Sequence, residues 1–343
     1  MTFSAVRRAL LFCAAPILFG CGHLCAQSPF QFPTANHNLY VVGSESKFFV
    51  PTATDKPPSS GSFGCVRSDG WQMHEGLDIR CEERDKRGEP TDPVLATADG
   101  TVVYINTRPS LSNYGNYIIL RHVIDGVEIY SLYAHLWEVR AGLKAGQAVK
   151  AGEPIATMGR TSNTAQSITK ERAHVHFELD LFINEHFSGW FQKTAPGERN
   201  DHGIWNGQNL IGIDPSTVLI TEHSPVKKFN LLEHLRGSTE LYRVCVRATS
   251  FPFLKRYPSL VLKNPVAEKE GTAGYEIAFD FNGVPFALMP RAASEIKGTA
   301  KIQLLSVNEA EQKRNPCRKF IVKRGSHWQL TDAGQRLISL LTY

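Results

Sequence analysis

The chain has 343 residues, with 38 basic and 33 acidic side chains and a formal charge of +5. Hydrophobic residues make up 42% and charged residues 21%, which excludes intrinsic disorder, and 27 Gly with 19 Pro exclude collagen-like and low-complexity chains. The length predicts two folded units.

The charge is unevenly spread. Residues 1–26 carry Arg7 and Arg8 and no acidic group. Residues 27–220 hold 17 basic and 22 acidic groups, a charge of −5. Residues 221–343 hold 19 basic and 11 acidic groups, a charge of +8. An acidic middle and a basic tail point to two jobs.

The first element is a secretion signal over residues 1–26. Arg7 and Arg8 form its charged start, and Ala9–Gly20 is an apolar run of h-region length. That run is short for a membrane anchor helix, the alternative reading. Cleavage after Ala26 gives soluble export. Leu18-Phe19-Gly20-Cys21 also resembles a bacterial lipobox, which would attach the chain to a membrane through a lipid at Cys21. Both routes lead out of the cytoplasm, to the periplasm, cell envelope or medium. Four cysteines lie beyond the signal, and an oxidising compartment favours disulfides. The predicted bridges are Cys65–Cys81 and Cys245–Cys317, each within one unit. No CxxC spacing supports a cysteine-only zinc site.

Residues 27–62 form an N-terminal extension, and Pro51–Gly61 reads as loop. Residues 63–220 read as an antiparallel β domain with little helix. Asp99-Gly100 and Asp125-Gly126 each separate two apolar runs and predict hairpins. His174–Ile183 alternates: Val175, Phe177, Leu179 and Leu181 face one way, and His174, His176, Glu178 and Asp180 the other. Residues 225–343 predict a smaller α+β accessory domain of short strands, with a last helix ending at Leu341. Leu330–Gly334 faintly echoes a winged-helix terminus, but an exported protein has little use for nucleic acid.

The chemistry concentrates in three segments. His174 and His176 share a strand face and look into one space. His74, Gly76 and Asp78 share a face in extended geometry, and the glycine leaves room for the two side chains to converge. The rival reading is a damaged HExxH helix with Glu75 as base. Gly76 weakens a helix by ~1 kcal/mol, Asp78 stands where the second His belongs, and the surroundings are β. His135 closes the strand after Asp125-Gly126. Catalytic zinc takes three N/O ligands and leaves a position for water, whose pKa falls toward ~7. Two histidines and a carboxylate meet that need, and two more histidines supply a base and a donor for the developing oxyanion. A structural zinc site would instead be closed by four protein ligands. The remaining histidines read as surface or packing residues.

These segments resemble the lysostaphin/LytM-type zinc metallopeptidases: HxxxD at His74–Asp78, Tyr133-Ala134-His135-Leu136, then HxH at His174–His176, in that order. Phe63-Gly64, Asp99-Gly100-Thr101-Val102, Tyr114-Gly115-Asn116-Tyr117 and Gly152-Glu153-Pro154-Ile155 also match the family pattern. The resemblance covers about residues 60–215. It implies zinc held by His74, Asp78 and His176, with His135 and His174 as the non-ligand catalytic pair. It implies a mainly β peptidase domain at 63–220 and an endopeptidase that hydrolyses peptidoglycan stem or cross-bridge peptides. The alternative is a non-catalytic LytM-type regulator of another wall hydrolase. Two departures stand out. Arg172-Ala173 replaces the usual Gly-Pro before HxH, and Cys81–Asp92 and Thr107–Asn113 look like inserted loops bordering the groove. The +8 tail suggests contact with anionic envelope polymers.

Overall fold

The computed structural model describes residues 29–164, 168–224, 226 and 228–343. The signal region, with the lipobox and Cys21, lies outside the described residues. Among the described residues no helix is long and apolar enough to cross a membrane.

The architecture is mainly antiparallel β. Its centre is a seven-stranded sheet in the order Leu210–Ile213, His174–Phe182, Val127–Leu136, Asn116–Ile124, Gly100–Asn106 and Ala148–Val149. Leu77–Arg80 is the seventh strand and pairs with the upstream end of His174–Phe182. A three-stranded sheet of Pro93–Leu95, Pro154–Thr157 and Glu138–Val139 packs nearby. The C-terminal region builds a four-stranded sheet from Tyr242–Val246, Gly274–Phe279, Pro285–Arg291 and Ile302–Val307. A two-stranded ribbon, Ile321–Arg324 with His327–Leu330, and the helix Asp332–Leu341 follow. Thr331 caps that helix by accepting from the Gly334 amide.

One hydrophobic core runs from Phe30 to Leu341. The N-terminal extension contributes Phe30, Phe32, Phe48 and Val50 to it, so this Pro/Ser/Thr-rich stretch is tied down by a few apolar anchors. The basic C-terminal region packs directly on the acidic sheet. The Tyr257 hydroxyl accepts from the Phe182 amide (2.8 Å), and Asn282 Nδ2 donates to the Gly212 carbonyl (2.6 Å). All nine residues of His174–Phe182 are buried, because walls rise on both faces of this strand.

Asp125 (φ 51°) and Gly126 (φ 74°) form the predicted tight hairpin, with Ile124 opposite Val127. Asp99-Gly100 does not. Its flanking strands belong to different sheets. Gly100 is required for close approach instead: a Cβ there would lie 2.6 Å from His122 Nδ1 and 2.7 Å from the Arg121 carbonyl oxygen.

The predicted disulfides are also corrected. Cys65 is bonded to Cys317 across 252 residues, while Cys81 and Cys245 are free and buried. The prediction confined each bridge to one unit. The C-terminal region instead seats against the Gly64–Arg67 strand, where Cys317 also approaches Met73.

His122 couples the sheet to pH. Its Nδ1 faces the Asp99 carbonyl oxygen (2.9 Å) and its Nε2 the Ser131 hydroxyl (2.7 Å). Burial is the main cause that pushes its pKa down to about 4. An unfolded-chain histidine titrates near ~6.5. The folded value is the lower, so this stability is complete above ~6.5 and is lost as pH falls toward about 4. Urea unfolding should lose about 2 kcal/mol between pH 7 and pH 5 from this group. His122→Gln should shrink that difference; an unchanged difference would remove His122 as its source.

Candidate active site

The site begins with strand register. His176 lies opposite Asp78 across one pairing and opposite Ala134 across the other. The first pairing brings HxxxD to HxH; the second brings in His135 near the end of Val127–Leu136. His74 ends the strand Gln72–His74, and the chain passes through Gly76 into Leu77–Arg80. No helix forms there, which excludes the HExxH reading. A Cβ at Gly76 would lie 2.3 Å from the Phe177 carbonyl oxygen and 2.9 Å from the Glu178 side chain. Glycine therefore lets this segment close onto the histidine strand.

His74 Nε2, Asp78 Oδ1 and His176 Nδ1 converge. They are 3.1 Å apart for His74 to Asp78, 3.1 Å for His74 to His176, and 2.9 Å for His176 to Asp78. All three residues are buried, and they form a candidate metal-holding group. Tetrahedral zinc, with bonds of about 2.0–2.1 Å, spaces its ligand atoms about 3.3–3.4 Å apart. The triangle needs only a slight opening to become one face of that tetrahedron.

The imidazoles are also oriented by what lies behind them. His74 Nδ1–H donates to the Ser62 carbonyl (2.7 Å), which leaves Nε2 with its lone pair toward the convergence point. His176 Nε2–H donates to Glu178 Oε1 (2.6 Å), which leaves Nδ1. Tyr114 donates its hydroxyl to the same Glu178 oxygen (2.8 Å). His174 Nδ1–H donates to the Arg172 carbonyl (2.5 Å), and His135 Nδ1–H to the Thr161 carbonyl (2.9 Å). Each of these two rings thus keeps Nε2 available. Their centroids are 4.9 Å apart, and that of His135 lies 6.0 Å from that of His176. His135 has φ 61°, a strained backbone for a residue with a side chain. Its amide donates to the Tyr114 carbonyl (2.8 Å), which helps hold that conformation.

Burial pushes the Asp78 carboxyl up, but His74, His174 and Arg67 outweigh it and hold it well below the usual range. Arg67 Nη2 donates to Asp78 Oδ2 (2.6 Å), leaving Oδ1 to face the histidines. Burial pushes His74, His135 and His174 down, so these rings are neutral near pH 7. Burial also acts downward on His176, but hydrogen bonds to Asp78 and Glu178 outweigh it and raise its pKa to about 9. A cation at the convergence point would take the place of that proton.

The five sequence-predicted residues, His74, Asp78, His135, His174 and His176, all line one cleft of about 1140 Å³. Glu178, Tyr114, Arg67 and Arg172 line it too, and sequence reasoning assigned none of them a role in the site. Glu178 had a signal, because the alternation puts it on the histidine face. Of the two inserted loops, Thr107–Asn113 borders the cleft through Leu111, Ser112 and Asn113, while no residue of Cys81–Asp92 lines it.

The model of Peptidase family M23 matches residues 72–186, which span the whole constellation. Lipoprotein NlpD of Yersinia enterocolitica is 36% identical over 95 residues, 28% of this chain and 84% of that protein. The chain belongs to peptidase family M23. The murein hydrolase activator NlpD of Escherichia coli K12 is 34% identical over 134 residues, 38% of this chain and 29% of that protein. The chain spans about a third of the length of the first curated relatives it matches. The catalytic domain of lysostaphin from Staphylococcus simulans is 28% identical, covers 35% of this chain and 74% of that one, and superposes with a TM-score of 0.24.

Proposed function

We propose that this M23 member is an exported zinc endopeptidase that hydrolyses peptide bonds in peptidoglycan stem or cross-bridge peptides. The observation that carries this reading is the complete and oriented set: three donor atoms converging from His74, Asp78 and His176, with His135 and His174 beside them. A bound zinc ion supplies Lewis acidity and makes water a nucleophile near neutral pH. His74, Asp78 and His176 hold it; Glu178 orients His176. His135 and His174, neutral with their protons on Nδ1, each present an Nε2 lone pair: one accepts the proton of the attacking water, and a ring protonated in this way can donate from Nε2 to the developing oxyanion or the leaving amine. Peptidoglycan as substrate, and the cell envelope as the place of action, are supported by the relatives named for murein and as lipoproteins.

A second reading has a specific support of its own, since relatives that share the domain are named murein hydrolase activators. On that reading the cleft binds the wall or another hydrolase without cutting, and the basic C-terminal region contacts anionic envelope polymers.

Digestion of purified peptidoglycan separates the two. The peptidase reading expects wild type to release soluble fragments, and a chelator to stop the release. His135→Ala and His174→Ala should each lose ~10²–10⁴-fold in rate while retaining zinc. No release by zinc-loaded wild type would overturn the peptidase reading and favour the activator one.

A further inference from the structure

Arg172 stands where the family resemblance expects the Gly of Gly-Pro, immediately before HxH. Its backbone carbonyl holds His174. Its side chain turns to the N-terminal extension, where Nε donates to the Pro51 carbonyl (3.0 Å). Among the described residues its terminal nitrogens have no hydrogen-bond partner and its guanidinium has no ion pair. Arg172 is half-buried and lines the same cleft as the histidines.

A second guanidinium belongs to this end of the cleft. Arg67 is bonded to Asp78 Oδ2, and the Val50 amide, next to Pro51, donates to the Asp78 backbone carbonyl (2.9 Å). Both arginines are therefore gathered around Asp78 by short connections. The other three lining arginines are differently engaged: Arg318 pairs with Glu75 (3.2 Å), Arg199 with Asp201 (2.6 Å), and Arg336 stacks on the Trp190 ring (4.7 Å) and donates to Gln208 (3.3 Å). Around the candidate metal group, Arg67 and Arg172 balance Asp78 and Glu178. A divalent cation then leaves this buried corner with an uncompensated positive charge. An anion of the substrate is the group that offsets it. A guanidinium with free terminal nitrogens recognises a carboxylate by charge-assisted hydrogen bonds.

We propose that Arg172, supported by Arg67, is a carboxylate seat beside the catalytic histidines, so that the preferred substrate peptide carries a free carboxylate flanking the scissile bond. This deepens the peptidase reading and rests on it for the word substrate. Arg172 is a specificity-determining residue here. The Pro51 carbonyl sets the direction of its side chain, which gives the N-terminal extension a part in selection.

The test uses the full mature chain and one synthetic stem pentapeptide, L-Ala-γ-D-isoGln-L-Lys-D-Ala-D-Ala, whose sole carboxylate is the C-terminal one, as free acid and as C-terminal amide. Binding is measured by calorimetry on zinc-loaded and on chelator-stripped protein, and hydrolysis is measured separately. Wild type should bind the acid roughly 10–100-fold more tightly than the amide. Without zinc the preference should shrink but persist, since the guanidinium's own hydrogen bonds to the carboxylate remain. Arg172→Ala should bring the ratio to about one, and Arg172→Lys should restore part of it, because a point charge lacks the bidentate fork. Equal binding of acid and amide by wild type would overturn the proposal, even if hydrolysis proceeds. So would an undetectable interaction with both, or an Arg172→Ala variant that slows turnover of both peptides equally while keeping the binding ratio, which would assign Arg172 to the oxyanion. Preferential binding without hydrolysis would keep the seat and remove the peptidase reading.

Discussion

Replacing His176 with alanine is expected to strip the chain of zinc and of hydrolytic activity together. His176 supplies one of the three donor atoms that converge among the described residues, and its removal takes from the buried Glu178 one of its two hydrogen-bond donors there, leaving Tyr114. Wild type should retain about one zinc per chain after dialysis, and His176→Ala close to none. Glu178→Gln should be milder. The amide still accepts a hydrogen bond but no longer raises the basicity of the ring, and such partners are worth ~10–100-fold in metal affinity. Metal analysis after dialysis reads both variants, and circular dichroism confirms that each is folded. A His176→Ala protein that keeps its full zinc content would exclude His176 as a ligand.

Opening the Cys65–Cys317 bridge should produce the largest loss of stability of any single covalent change. The bridge closes a loop of 252 residues. Chain entropy assigns about 5.5 kcal/mol to a loop of that size, and measured losses for removing a native bridge run about 2–5 kcal/mol. The Cys65→Ser, Cys317→Ser variant should therefore unfold at clearly lower urea than the oxidised wild type, and reduced wild type should match the variant. The effect should reach the site, because the bridged strand also carries Arg67 and pairs with the strand that ends in His74. Zinc retention in the variant measures that coupling. An unfolding midpoint that ignores both reduction and substitution would show that packing alone holds the C-terminal region in place.

The candidate constellation was legible because its logic is local. A two-residue period places His174 and His176 on one face, and a glycine between His74 and Asp78 permits an extended segment, whatever the rest of the chain does. Glu178 was half legible: its face followed from alternation, but its role depends on Tyr114 arriving from elsewhere. Arg172 was visible only as a departure, since its direction is set by Pro51 far upstream. The errors have the same root. A turn glycine and a close-approach glycine read alike, so Gly100 was mistaken for half of a hairpin. Four cysteines admit three pairings, and no local signal selects among them. The bridge followed from the C-terminal region docking on the peptidase sheet, a long-range event that composition does not record.

That docking sets an order of events. Cys65 lies ahead of every strand of the central sheet, yet its bridge waits for a cysteine 252 residues downstream. Domains emerging from a translocation channel fold as their residues become available. The sheet and its histidines can therefore assemble early, while the hairpin leading into His74 stays unsecured until Cys317 has emerged into an oxidising compartment. A site finished so late stays immature throughout its passage and is locked only at its destination.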